Sequence, residues 1–468
     1  MRHRRYRKRP ANRFRCNRVA DGRLGRDSHG GIHVPASNTK FQLGGLSAAL
    51  VLVSAGHALA GGFAAAEISV KGMGRANAGE AADVGASQLW WNPAAIARSP
   101  REISLGVQQR NMSSHLDDTG STITRPIAPG GYTTPVGGQA HVSDGSADFT
   151  ALNGAIAMPL GDRFAVGLSV EQPFRLKGDY GATGWGRYDT VRNRIDITDV
   201  QATVAMRATD WLDLGVGIDG QYMKAALDTA SPNLDPTQPD GLQSLHGDGW
   251  DYGWTVGAQA HLEQLTLGAS YRSAVDHKIS GALSLSGLTG PLAGANFSAP
   301  ATTAFSTPWT ATLAARWAAT PALTLDAQIV RSGWSKYDAI QVGFAGQTAV
   351  IPQNYKDTTS VAVGADYVVA AGWTVRGGVQ FDPTPTPDNL REPGVADSDR
   401  RVYAVGASHE LAAGAVVHAA FAYTDFQGAR IFDDTSFYAG TAAQTNANLR
   451  GDFSGHALTG ALGVDWRF

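Results

Sequence analysis

From about residue 101 to its end the chain alternates apolar and polar residues with a period of two, in stretches of about nine or more residues. That period puts successive side chains on opposite faces, so the stretches read as β-strands with one apolar and one polar face. Trp373, Val375, Val379 and Phe381 share one face, against Thr374, Arg376, Gln380 and Asp382 on the other. Leu323, Leu325, Ala327 and Ile329 oppose Thr324, Asp326 and Gln328 in the same way, and Leu458, Leu462, Val464, Trp466 and Phe468 oppose Thr459, Asp465 and Arg467. Sandwich strands are usually shorter, about five or six residues. Strands of about 9–11 residues with aromatics at the ends of an apolar face are what a bilayer demands of a barrel. The short gaps at 160–163, 209–210, 320–321 and 371–372 read as periplasmic turns, and the long gaps near 112–148, 227–249, 281–306, 383–399 and 431–451 as extracellular loops. The expectation is an all-β protein, a transmembrane antiparallel β-barrel of about 14 strands, with Phe468 as the terminal aromatic through which the barrel-assembly machinery would recognise it.

Composition excludes the other classes. Charged residues make up 17% of the chain, below the roughly 25% of soluble domains. After the leader no run of about 20 apolar residues could form a spanning helix, and aromatic residues at 9% argue against disorder. The single cysteine, Cys16, excludes an internal disulfide or a thiolate metal site. The formal charge of −2 conceals a basic head: residues 1–40 hold 12 Lys and Arg against Asp21 and Asp27, so the remainder is acidic.

Behind that head, Phe41 to Ala60 forms an apolar core ending in Ala58-Leu59-Ala60, a secretory signal with a small-x-small cleavage site. Residues 1–60 are therefore expected to be a basic leader plus signal peptide, with a mature start at Gly61 and, the head being unusually long for a signal, a translation start near Val34. Export conflicts with reading the head as a nucleic-acid-binding arm, so no nucleic-acid partner is expected. Residues 61–100 break the strand pattern, are rich in small residues and have helical potential around 76–84 and 94–97. Such a segment ahead of a barrel at 101–468 belongs inside the lumen as a plug.

The residues of that plug carry a resemblance: Gly61-Gly62-Phe63, the stretch from Gly74 to Glu80, and Trp91-Asn92-Pro93-Ala94. Further matches are Leu267 to Ser273, Trp334 to Tyr337, Asp357 to Tyr367, Arg376-Gly377-Gly378, and Asp382 to Pro385. In these residues the chain resembles the FadL family of outer-membrane transporters for long-chain fatty acids and aromatic hydrocarbons. The resemblance implies a 14-stranded barrel in the bacterial outer membrane, plugged by its N-terminal hatch. It also implies that ligand is captured at the extracellular loops, passes to a pocket beside the mature N-terminus, where Phe63 would touch it, and leaves sideways through a kink in the third strand. Gly74, Asn92, Pro93 and Ala94 would be the plug motif. Within Phe164 to Arg175, Pro173 cannot donate a ladder hydrogen bond and supplies a candidate kink, or else simply ends the strand.

For a carboxylate head a lumenal cation is the expected partner, and strand parity points Arg316 and Arg376 inward as candidate ligand contacts. The same parity points Asp326, Asp366 and Asp382 inward, so self-pairing of lumenal charge competes with ligand. His261 and His418 fall on the same face and are expected to be solvated. The 12 His lack metal-binding spacing, Gly72 to Gly79 lacks the βαβ context of a phosphate cradle, and no nucleotide-binding loop is present, so no metal, cofactor or energy coupling is expected. The expected function is passive uptake of hydrophobic small molecules, most of all long-chain fatty acids, by a monomer surrounded by outer-membrane lipid and without enzymatic activity. Alternatives are an aromatic hydrocarbon channel, an outer-membrane lipid hydrolase and a non-specific porin.

Overall fold

The computed structural model describes residues 63–65, 68–126, 131–144 and 148–468. The leader, the signal peptide and its cleavage site lie outside them. The described chain forms a closed antiparallel barrel of 14 strands. In order they are β1 (Glu102–Asp118), β2 (Phe149–Leu160), β3 (Phe164–Asp179), β4 (Arg192–Arg207), β5 (Leu212–Ser231) and β6 (Gly241–Leu262). β7 is Leu265–Arg272 continued by Val275–Ser286, and β8 is Phe297–Thr307 continued by Trp309–Ala318. There follow β9 (Leu323–Gly333), β10 (Thr358–Ala370), β11 (Trp373–Asp382), β12 (Arg400–Glu410), β13 (Ala415–Phe437) and β14 (Thr445–Arg467). The barrel closes where β14 runs antiparallel to β1, from Glu102 opposite Arg467 to Asp118 opposite Gly451. A closed ladder leaves no backbone group facing lipid unpaired, which is the condition for crossing a bilayer.

The faces follow the alternation. Val216, Ile218, Leu313, Val405 and Leu462 are exposed on the outer wall, while Gln201, Asp219, Gln259 and Asp326 are buried on the inner one. Phe164, Trp211, Trp317, Trp373 and Trp466 are outward and stand at the short-turn end of their strands, where an amphipathic ring suits the lipid–water boundary. The strands outrun the expectation at the opposite end. Stretches read as long loops are largely ladder: β5 continues to Ser231, β6 begins at Gly241, and β13 and β14 have 23 residues each. Beyond the bilayer both faces meet water or other protein, so the alternation fades while the hydrogen-bonded ladder goes on.

The hatch, residues 68–100, fills the lumen with one short α-helix, Val70–Met73, capped by Ser69, and the 3-10 turns Glu80–Ala82, Ala86–Gln88 and Pro93–Ile96. The helix expected over 76–84 does not form: Ala76 and Asn77 are left-handed, at φ 54° and 60°. The small residues there serve close approach rather than helix propagation. The Arg75 backbone passes so near the wall that a Cβ on Gly378 would overlap the Arg75 carbonyl.

Candidate functional site

The third strand sets the geometry. β3 pairs with β2 only from Phe164 up to Val170, opposite Gly154. On its other side the register with β4 slips between Glu171 and Phe174. Pro173 lies in this slip, where its missing N–H does not interrupt a regular ladder. The strand does not end there, since it continues to Asp179. Its edge toward β2 is taken up by the N-terminal tip of the described chain. Ala65 donates to the Pro173 carbonyl (2.8 Å), Arg175 donates to the Phe63 carbonyl (2.8 Å), and Ala64 stands opposite Phe174 as an antiparallel bridge.

Phe63 anchors that tip. Only 2% exposed, it makes edge-to-face contacts with Trp334 (5.3 Å), Tyr337 (5.5 Å), Phe174 (5.6 Å) and Phe305 (6.2 Å). Trp334 and Tyr337 come from a 3-10 turn after β9, so the aromatic site joins kink, tip and loop. Beside it lies a lumenal cavity with about 900 Å³ of atom-free space, part of it open to solvent. Ala64, Pro173, Phe174 and Trp334 line it beside the tip, Val330 lines it between Thr312 and Ser360 of the neighbouring strands, and Thr310 and Gln380 are also in the lining.

The two arginines expected at ligand lie beneath the hatch. Arg316 bonds Asp366 (2.9 Å) and pairs with Asp326 (3.1 Å); Arg376 bonds Asp366 (3.2 Å) and donates to Ser408 (2.6 Å). The hub of this network is Arg75, fully buried, which binds Glu80 (2.5 Å), Asp83 (2.7 Å) and Asp366 (3.0 Å). Lys71 joins at Asp83 (2.9 Å). Self-pairing of lumenal charge, weighed against ligand binding from parity alone, is what these side chains do: the wall carboxylates Asp326 and Asp366 take both arginines, and Asp83 of the hatch lies 3.6 Å from Arg316. Arg75 stood only in a motif; its placement five residues before Glu80 among small residues was the available signal.

Asn92 ties the rest of the hatch down. Its Oδ1 accepts from Ala94 N–H (2.9 Å), and its Nδ2 donates to the carbonyls of Ala81 (2.7 Å) and, on β6, Ala258 (3.0 Å). Pro93 follows at the first position of the capped turn, where a missing N–H costs nothing. A Cβ on Gly257 of β6 would overlap Asn92 Oδ1. Gly74 also approaches the wall, where a Cβ would lie 3.0 Å from Arg376 and Gly406.

Neither lumenal histidine is simply solvated. His418 Nδ1 lies 2.6 Å from Ser408 Oγ and its Nε2 3.0 Å from Asp465; His261 pairs with Asp213 (2.9 Å). The Ser–His–Asp row has the connectivity of a hydrolytic triad, but Ser408 Oγ is occupied by Arg376 as well as by His418, and the residue is 6% exposed. It extends the network that holds the hatch.

Loops close the far end. Pro393–Val395 is buried, and Asp189 accepts from Gly394 N–H (2.6 Å). Burial raises the pKa of Glu392 to about 8, and burial together with the Glu392 and Asp433 carboxylates raises that of Asp189.

Residues 51–468 match the family described as outer membrane protein transport protein (OMPP1/FadL/TodX). The chain is 24% identical over 416 residues, 80% of it and 89% of the relative, to a long-chain fatty acid transport protein of Escherichia coli O6:H1. It is 25% identical over 452 residues, 87% of it and 97% of the relative, to outer membrane protein P1 of Haemophilus influenzae. Among solved structures, a Pseudomonas aeruginosa FadL homologue superposes at a TM-score of 0.75 with 22% identity, covering 87% of this chain and 99% of that one. The Ralstonia pickettii toluene transporter TbuX does so at 0.61 with 18% identity, covering 86% and 98%.

Proposed function

The chain belongs to the outer membrane protein transport family, OMPP1/FadL/TodX, of the bacterial outer membrane, and on that premise we propose that it takes up chain-like hydrophobic compounds passively, through the lumenal cavity and out sideways at Pro173. Relatives named for long-chain fatty acids support a fatty acid as ligand, and neighbours named for toluene support an aromatic hydrocarbon as the second reading. The observation that carries the route is the unpaired stretch of β3 filled by Phe63, Ala64 and Ala65 beside the lumenal cavity. A ligand leaving an apolar site for water loses about 25 cal/mol per Å² of buried apolar surface; a side exit into the bilayer avoids that loss.

Among the described residues two backbone hydrogen bonds and one aromatic side chain hold the tip, and an apolar ligand can replace the aromatic contact. Phe63 acts through this docking, and Arg316 and Arg376 act by holding the hatch rather than by touching ligand. Ala64 and Phe174 are a non-hydrogen-bonded pair, flanked by the two bonds, and such pairs bring Cα atoms to about 4.5 Å, within disulfide range. The double variant Ala64→Cys, Phe174→Cys is therefore expected to lose uptake of a labelled fatty acid when oxidised and to regain it in reductant. Equal uptake in both states would refute exit at the kink.

A further inference from the structure

Resting on the side exit proposed above, we infer that Arg175 is the positioning residue that latches it. Its guanidinium spans the split between β2 and β3, and the split widens for a ligand only when that side chain lets go of β2.

Below the split the wall is closed by backbone. β2 and β3 pair from Leu160 opposite Phe164 to Gly154 opposite Val170. Were that register continued, Thr150 would stand opposite Phe174, but Phe174 faces Ala64 of the hatch tip instead. Among the described residues, the two strands are joined above Val170 by side chains. Arg175 Nη1 donates to the Thr150 carbonyl (2.9 Å), and its guanidinium lies 4.9 Å from the Phe149 ring centroid. Lys177 Nζ adds a longer bond to the Asp148 carbonyl (3.5 Å). The other donors of Arg175 are held away from β2: Nε by Asp196 of β4 (2.9 Å) and Nη2 by Gln172 of its own strand (3.1 Å). One side chain thus ties three neighbouring strands, while the N–H of the same residue holds the Phe63 carbonyl.

The arms of this tie differ in strength. Nε meets a carboxylate in a charge-assisted bond, whereas Nη1 meets a neutral carbonyl, so the arm to β2 is the weaker and breaks first. Asp196 then keeps the guanidinium beside β4, and the latch can open and reclose without losing its charge partner. Its height suits an exit into lipid. Arg175 stands about 11 residues beyond Phe164, which at about 3.3 Å per residue and a tilt of about 40° is about 28 Å along the axis, just past the apolar band of about 25 Å. There a guanidinium can reach water. Val170, where the backbone pairing stops, lies about 15 Å along the axis by the same measure. The window therefore opens in the outer half of the band, with Arg175 as its upper edge.

The test uses the full chain in lipid nanodiscs, with Cys16→Ser so that one introduced thiol reacts, and N-pyrenylmaleimide, a probe that partitions into the bilayer. Ala151→Cys reports the split, because Ala151 is buried on β2 above the last pair with β3. Ala155→Cys reports the closed wall, because Ala155 is buried on the same strand opposite Ser169. Adding Arg175→Met removes the guanidinium and keeps the main chain. It is expected to speed labelling at Ala151→Cys by about tenfold or more and to leave Ala155→Cys unchanged. Arg194→Met takes the second cation from Asp196 without touching β2, and should change neither. Unaltered labelling at Ala151→Cys overturns the latch. So does equal acceleration at both thiols, or the same acceleration from Arg194→Met, since Arg175 would then merely stabilise the wall. If Arg175→Met does not fold, Arg175→Lys, which keeps a charge for Asp196 but lacks the fork, decides by the same comparison with an effect of several-fold. Faster labelling at Ala151→Cys together with uptake indifferent to the disulfide of Ala64→Cys, Phe174→Cys overturns the side exit and leaves Arg175 as a tie across the split.

Discussion

The two ends of the hatch are held by different physics. At its foot Arg75 binds Glu80 and Asp83 within the hatch and Asp366 on the wall, Asp83 lies 3.6 Å from Arg316, and Asn92 ties Ala81 to Ala258. At its tip Phe63, Ala64 and Ala65 are held by two backbone hydrogen bonds and a ring among rings. Opening the foot exposes buried charges that only their own partners satisfy, whereas the tip's apolar contact can be replaced by any apolar molecule of similar size. On the proposed route, one segment would thus combine a fixed plug with an exchangeable stopper.

The most direct way to break this contrast is Arg75→Met. It strands Glu80 without its cation and takes from Asp366 one of its three arginine partners, a loss of about 3–5 kcal/mol. The expected result is protease entry into the hatch and a lower temperature for the heat-induced gel shift; an unaltered protein would mean the ion pairs do not hold the foot. Next comes Phe63→Ala, which removes about 3 kcal/mol of packing. It should speed hydrogen exchange at the Ala65 and Arg175 amides by about a hundredfold while foot amides such as Ala94 stay protected. Equal acceleration at both ends would erase the difference between them.

A pH series separates the tip from the loop cap. Glu392 ionises near 4.5 when the loop is unfolded, and burial keeps its proton until about 8 when it is folded. The linked stabilisation is therefore complete below about pH 4.5, is lost as pH rises, and is gone above about 8. Limited proteolysis at 383–399 should accelerate over that window, and Glu392→Gln should flatten the profile. The smallest stability effect is expected for Pro173→Ala, within about 1 kcal/mol. Restoring an N–H there lets β3 straighten, so uptake should slow although the barrel is scarcely less stable.

The barrel was legible because a bilayer leaves a period-two record: Trp373, Val375, Val379 and Phe381 face outward as their alternation requires. Pro173 marked an irregularity in the third strand, because proline cannot join a regular ladder, and the register with β4 slips around it. Strand length was not legible, because above the bilayer β5, β6, β13 and β14 keep pairing without an apolar face. The site was half visible. Parity placed Arg316 and Arg376 inward together with Asp326 and Asp366, the wall carboxylates they pair with, but not the hatch residues Arg75 and Asp83 that join the same cluster from far away in sequence. Nor could any local pattern place His418 between Ser408 and Asp465.

The long strands also set how far the molecule stands out from the cell. A 23-residue strand at about 3.3 Å per residue is about 76 Å long, and a tilt of about 40° leaves about 58 Å along the barrel axis. The apolar band takes up about 25 Å of this. Most of the remaining height lies on the outer side, so the loop cap stands some tens of ångströms above the lipid boundary, at the level of the carbohydrate that clothes a bacterial surface. A greasy molecule arriving from the medium would then meet protein before it had to traverse that hydrated layer, and the barrel wall would shield it on the way down.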